Sequence, residues 1–131
     1  MYTKPDFLMM LPGIAFYFII KSKINHIGAI MNCIVAEVVV VPLGTGSPSL
    51  SSYVAEVEGV LKKHAHIKSM LTPMSTILEG DLDDVLNIIR EMHEVPFLKG
   101  AKRVSTRISI DDRRDKKISM QSKLEAVKSK R

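Results

Sequence analysis

The run IVAEVVVV, which spans Ile34–Val41, sets the strongest condition on the fold of this 131-residue chain. Its residues are mostly apolar and β-branched, which favours a strand over a helix. Alternate residues of a strand point to opposite faces of its sheet, and here both faces are apolar except at Glu37. Both faces therefore need a cover. Helices can cover one face in a domain of this size, and the second face calls for a partner subunit.

The pattern after this strand predicts a helix, a strand pair, a second helix, a last strand and a C-terminal helix. The segments IKSMLT and STILEG form the strand pair, and RVSTRISID alternates between apolar and polar residues as the last strand. The order βαββαβ is that of the ferredoxin-like fold. We therefore predict an α+β sandwich with a four-stranded antiparallel sheet, whose first strand lies between the third and the fourth, plus a C-terminal helix.

The ends of the three predicted helices carry recognisable signals. Ser47 or Ser49 can cap the first helix, and Asp81 can cap the second, because their side-chain oxygens can accept from the first free backbone N–H groups. Pro96 is expected to end the second helix. Asp115 can cap the last one. In the second helix a stripe of apolar residues is expected to be buried, and it consists of Leu82, Val85, Leu86, Ile89 and Met92.

The net charge of +5 is concentrated at the C-terminus. Residues 116–131 carry six basic side chains and one acidic side chain, so the rest of the chain is neutral. Such a tail is typical of a solvated helix, and contact with nucleic acid or an anionic membrane is the less favoured alternative. No nucleic-acid partner is expected, because the two central strands lack the aromatic residues on which RNA-binding modules stack bases.

Residues 1–32 differ in character from the predicted domain of residues 33–131. The apolar run Phe7–Ile20 is shorter than the roughly 20 residues that span a bilayer, and no signal-peptide cleavage site follows it directly. A weak membrane anchor, a poor signal sequence and translated upstream sequence remain open, and we favour the last, with Met31 as the natural start. Membrane contact is expected only if this extension is native. The single cysteine, Cys33, fits a reducing, cytoplasmic location.

Searches for chemical motifs give no catalytic or metal site. The loop GTGSPS lacks the lysine of a P-loop and the third glycine of a dinucleotide fingerprint, so a turn from strand to helix is favoured over an anion cradle. His64 and His66 have no third ligand nearby, so no metal is expected. Only Glu37 and Glu79 place carboxylates on strands, and nothing fixes whether they meet. We expect no catalytic residue and no required cofactor.

Three segments, AEVVVVPLGTGSPSLSSYV, LTPMSTILEG and KRVSTRISIDDRRDK, together resemble the thiamine-binding protein family, and the similarity runs from about Met31 to the C-terminal helix. The resemblance implies a protein that binds thiamine or its hydroxymethylpyrimidine part without catalysis. It also implies a homodimer or homotetramer assembled through the sheet faces. The matching positions that we expect to bind the ligand are Glu37, Ser47, Ser49, Tyr53, Thr72, Met74, Thr76, Glu79 and Arg107.

The chemistry of thiamine permits roles for several of these residues. The carboxylate of Glu37 or Glu79 suits a thiazolium cation or a protonated ring nitrogen, hydroxyl groups can bond to amino and hydroxyl groups, and Met74 or Tyr53 can cover a ring. A cross-strand ion pair between Glu37 and Arg107 is an equal alternative. We expect a carrier, sensor or buffer. The rival functions are an enzyme or regulator acting on another small metabolite, and assembly or nucleic-acid contact through the basic helix.

Overall fold

A computed structural model describes residues 19–20 and 33–131 of the chain. The interpretation of residues 1–32 therefore lies outside the described residues, apart from 19 and 20, which are helical. Across the two described ranges, no helix has the length and apolar character needed to cross a membrane.

Residues 33–131 form four strands and three helices. In chain order these elements are β1 (Cys33–Leu43), α1 (Ser51–Leu61), β2 (Lys68–Leu71), β3 (Thr76–Asp81), α2 (Leu82–Leu98), β4 (Arg103–Asp111) and α3 (Met120–Lys128). The strands lie in one sheet in the order β2-β3-β1-β4, and every neighbouring pair is antiparallel. The predicted ferredoxin-like fold with a C-terminal helix is confirmed, including the place of the first strand between the third and the fourth.

The inner face of the sheet packs against α1 and α2. Ile34, Ala36 and Val38 of β1 and Leu78 of β3 are at most 2% exposed on this face. The helices add to this core the residues Val57, Val60, Leu61, Val85, Ile88, Ile89 and Met92. Burial of each large aliphatic side chain contributes about 1.5–3 kcal/mol, so this interface between sheet and helices is the main source of stability.

The outer face of the sheet is covered at one end only. The register places Val35 opposite Glu79 and Val39 opposite Arg107, so both pairs lie on the same face as Glu37. The α3 helix begins at the Val35 end, where the Met120 backbone N–H donates to the Glu79 carboxylate over 2.9 Å. Farther along the strand, Val39 and Val41 stay half-buried.

The start of α1 differs from the prediction. Leu50 is the residue that precedes the helix, and no side chain caps it. The two serines instead bond within the loop, because the Ser49 backbone N–H donates to the Ser47 hydroxyl over 3.2 Å and the Ser49 hydroxyl lies 3.3 Å from that of Ser51. The first turn is closed by the backbone alone, from Val54 N to Leu50 O over 3.0 Å.

The end of α2 also differs from the prediction, whereas its start agrees with it. The Asp81 carboxylate caps the helix by accepting from the backbone N–H groups of Asp83 and Asp84. The helix continues through Pro96 and ends two residues later at Leu98, so the proline marks its last turn and not its last residue. It ends where Gly100 adopts a φ of 94°, a conformation that glycine enters without steric cost.

Two smaller predictions about the helices were wrong. Leu86 is 40% exposed, and the buried position of that turn belongs to Ile88, since the stripe of α2 is centred on the side that faces the sheet. Helix α3 is capped by Ser119, whose hydroxyl accepts from the Ser122 backbone N–H over 2.9 Å. Asp115 cannot serve as the cap because it lies farther back in the chain, paired with Arg113.

Candidate functional site

A cavity of about 120 Å³ lies between α1 and the inner face of the sheet, next to the hairpin that joins β2 to β3. Its walls are mostly apolar, and Val38, Val40, Val54, Val57 and Met92 provide much of this surface. Its polar lining comes from Glu58 of α1 and from the hairpin residues Thr72, Ser75 and Thr76. The site is therefore an apolar pocket with one ionisable group and a few hydroxyl groups, a composition typical of small-molecule sites.

Helix geometry places the Glu58 carboxylate at this cavity. Residues three and four apart share one face of a helix, so Glu58 lies beside Val54 and Leu61, and Leu61 is buried in the core. The Thr76 hydroxyl donates to Glu58 Oε1 over 2.5 Å. Thr76 is itself 5% exposed and lies opposite Val38 in the sheet, so it fixes the carboxylate against the inner face.

The charge of Glu58 has no counter-ion in the part of the chain that the structure describes. Between residues 33 and 131, no Lys, Arg or His nitrogen lies within 4.0 Å of its carboxylate. A carboxylate at an apolar wall favours groups that donate hydrogen bonds or carry positive charge. Glu58 is thus the group in this cavity best suited to recognise such a ligand.

The hairpin beside the cavity is held by Thr72. Its backbone N–H donates to Ser75 O over 2.8 Å, and its hydroxyl accepts from the Ser75 backbone N–H over 3.0 Å. This turn leaves Met74 82% exposed at the edge of the cavity. The structure thus brings together three of the residues predicted for the site, Thr72, Met74 and Thr76, around the same opening.

Three other predicted residues lie on the outer face of the sheet, away from this cavity. Glu37 is half-buried there, and the described residues contain no ion pair between it and Arg107. Glu79 is 6% exposed and accepts from Lys68 Nζ over 3.0 Å and from the Met120 backbone N–H over 2.9 Å. Its hydrogen bond raises the pKa of Lys68. Glu79 therefore joins β2 and α3 to β3.

The remaining predicted residues lie at the start of α1. Ser47 and Ser49 are exposed in the loop before the helix and do not line the cavity. The Tyr53 ring lies 5.6 Å from Lys99 Nζ, on a side of α1 that meets the end of α2. Lys99 also pairs with Glu56 over 3.1 Å. The ligand-binding roles of these residues stay predictions. In the structure the serines bond within their loop and to Ser51, and Tyr53 lies beside Lys99.

Glu58 was not among the residues predicted from the sequence. The carboxylates predicted for the site, Glu37 and Glu79, are on strands, where paired acids can meet across adjacent strands. Glu58 is an acid one residue after Val57, on the edge of the apolar stripe of a helix, which is also the ordinary place for a solvated acid. Only the cavity beside Glu58 distinguishes a ligand-binding acid from a solvated one.

Comparison with known proteins reveals the relatives of this chain. A family model described as thiamine-binding protein matches residues 36–128. The UPF0045 protein YqgV of Bacillus subtilis (strain 168) is 49% identical over 96 residues, which cover 71% of this chain and 92% of that protein. A UPF0045 protein of Methanothermobacter thermautotrophicus is 44% identical over 98 residues, which cover 74% of this chain and 98% of that protein.

Solved structures agree with this result. MJ1052 of Methanocaldococcus jannaschii matches with a TM-score of 0.68 at 39% identity, covering 75% of this chain and 98% of that one. TM0486 of Thermotoga maritima, whose description names thiamine biosynthesis or salvage, matches with a TM-score of 0.60 at 19% identity. The match covers 72% of this chain and 98% of that one, and at this identity it shows a shared fold alone. Because the family model spans most of the domain and the relatives are this similar, the chain belongs to the thiamine-binding protein family.

Proposed function

We propose that the cavity beside the β2–β3 hairpin binds the aminopyrimidine part of thiamine, or the free hydroxymethylpyrimidine, without catalysis. The observation that carries this proposal is the Glu58 carboxylate, held by Thr76 at the wall of an apolar cavity in a member of this family. The protein then acts as a carrier, sensor or buffer of the ligand, and the single cysteine is consistent with a cytoplasmic location.

The size of the cavity supports a single-ring ligand. Pockets for drug-sized molecules enclose about 300–1,000 Å³. An apolar cavity of roughly 150 Å³ in another protein accepts benzene. At about 120 Å³, this open cavity matches a single six-membered ring rather than a larger ligand, and ring substituents would lie in its opening. The thiazolium part of thiamine would extend through the opening, where Met74 is exposed.

The chemistry of the lining supports an aminopyrimidine. The exocyclic amino group and a protonated ring nitrogen are donors, and a carboxylate such as that of Glu58 accepts from both. The valine side chains and Met92 offer apolar contact to the ring faces. The described residues that line the cavity include no histidine, cysteine or lysine, which favours binding over nucleophilic catalysis.

A calorimetric titration of the full-length protein tests this function. We expect saturable binding of both thiamine and the free pyrimidine alcohol, in the micromolar range or tighter, with a rise in melting temperature at saturating ligand. Lack of heat and of thermal stabilisation with both compounds would contradict the proposal. Turnover of either compound would favour the rival function of an enzyme.

We also propose that a second copy of the chain covers the outer face of the sheet, giving a homodimer or a larger homo-oligomer. The support is the row of half-buried apolar residues on that face beyond the reach of α3, namely Val39, Val41 and Ile77. Water contact with such a row is unfavourable, and apolar patches of this kind mark interaction surfaces.

The substitution Val39→Asp tests this assembly. A charge in the centre of an apolar interface is expected to raise the dissociation constant of the oligomer by at least about 30-fold, as loss of an interface hot spot does. Light scattering coupled to size exclusion measures the result, and Ser52→Asp on the exposed side of α1 serves as the control. A monomeric parent protein, or a Val39→Asp variant that assembles normally, would contradict the proposal.

A further inference from the structure

The charge of the cavity lining is unusual for a protein that handles a vitamin with phosphorylated forms. Among the described residues that line it, Glu58 is the one charged side chain, and none is Lys, Arg or His. Sites that bind phosphate groups offer guanidinium or ammonium groups, free backbone N–H groups or a helix N-terminus. This cavity presents a negative charge where those sites present a positive one.

The backbone of the hairpin does not compensate for this charge. The N–H of Thr72 donates to Ser75 O, and the N–H of Ser75 donates to the Thr72 hydroxyl. The Met74 N–H also points at the Thr72 hydroxyl, over 3.4 Å. The Thr76 hydroxyl donates to Glu58. The donors of the hairpin are therefore used within the protein and are not free to bind a phosphate.

The N-terminus of α1 is too distant to serve a group attached near the ring. Helix α1 begins at Ser51, and at 1.5 Å per residue Glu58 lies roughly 10 Å farther along its axis. In the phosphate ester of the pyrimidine alcohol, the phosphate is joined to the ring through one CH₂ group. With the ring at Glu58, this phosphate takes the place of the thiazolium ring at the cavity opening, one CH₂–O link from the ring that the carboxylate binds.

We infer that the site accepts the pyrimidine alcohol only in its unphosphorylated form, an inference that rests on the function proposed above. Glu58 is then a specificity-determining residue as well as a binding one. The ligand must be supplied by a reaction that releases the free alcohol, such as hydrolysis of a larger molecule. It is consumed by transfer of the terminal phosphoryl group of a nucleoside triphosphate to its hydroxyl group, with the nucleoside diphosphate as leaving group, which converts it to a form that this protein releases.

The expected discrimination is large. A phosphate monoester carries a charge of about −1.5 to −2 at pH 7. At a separation of roughly 7 Å and an effective dielectric constant of about 20, its repulsion from the Glu58 carboxylate predicts at least about 50-fold weaker binding than that of the alcohol.

Calorimetric titrations of the full-length protein with the alcohol and with its phosphate ester test the inference. We expect a ratio of dissociation constants of at least about 50 for the parent protein. Glu58→Gln removes the charge, so it should weaken binding of the alcohol and bring the ratio of dissociation constants close to one. Glu56→Gln, on the same helix but outside the cavity, should leave the ratio unchanged.

The outcomes separate this inference from the proposed function. Equal affinity for the two compounds would overturn the inference and leave the function standing. A ratio that persists in Glu58→Gln would overturn the role of Glu58 in discrimination. If neither compound binds the parent protein, the proposed function fails, and the inference fails with it.

Discussion

Glu58→Gln is expected to weaken binding of the pyrimidine alcohol about 10- to 100-fold while the protein stays folded. Hydrogen bonds to a charged partner contribute about 1.5–3 kcal/mol, and the neutral amide loses most of that energy. The amide has almost the same shape as the carboxylate, and its oxygen can still accept from the Thr76 hydroxyl. Calorimetry measures the affinity, and thermal unfolding checks the fold.

Glu37→Gln is the matched control for this experiment, because it makes the same chemical change on the opposite face of the sheet. Glu37 lies with Arg107 on the outer face, and neither residue lines the cavity. We expect its affinity for the alcohol to remain within about twofold of the parent value. The reverse pattern, with loss of affinity in Glu37→Gln and none in Glu58→Gln, would place the ligand on the outer face and refute the site.

The fold was predictable from the sequence because its signals are periodic and repeat along the chain. The continuous apolar run in β1 predicts a central strand, and in the sheet it does lie between β3 and β4. The capping role of Asp81 was predictable from local chemistry alone, because its side-chain oxygens can accept from the backbone N–H groups of the residues that follow it. The ends of helices were less predictable. Pro96 indicates that the helix ends nearby, but the sequence does not specify at which residue.

The site was only partly predictable, because it depends on which face each side chain occupies and on what lies across from it. Thr72, Met74 and Thr76 belong to one hairpin, so their common place at the cavity follows from a short stretch of sequence. Glu58 and Thr76 are far apart in the chain and meet only when α1 packs on the sheet. Glu79 has the same chemistry as Glu58, and only the register shows that it points to the other face.

Glu79 provides the second test with a large expected effect. Its carboxylate is 6% exposed and accepts from the backbone N–H of Met120, the first residue of α3, and from Lys68 Nζ. A carboxylate near a helix N-terminus is stabilised by the positive end of the helix dipole and by hydrogen bonds from the free backbone N–H groups. The Lys68 side chain is 74% exposed, so its ion pair adds little. The bond to Met120 links β3 directly to the C-terminal helix.

Glu79→Ala is expected to lower the free energy of unfolding by about 1.5–3 kcal/mol, because the part-buried Met120 N–H loses its charged partner. Denaturant unfolding measures this change, and amide hydrogen exchange should show faster exchange in α3 than in α1. Affinity for the pyrimidine alcohol should stay unchanged, since Glu79 lies on the face opposite the cavity. Weaker binding with unchanged stability would instead support the ligand-binding role predicted for Glu79 from the sequence. It would also contradict the proposal that the ligand binds in the cavity beside Glu58.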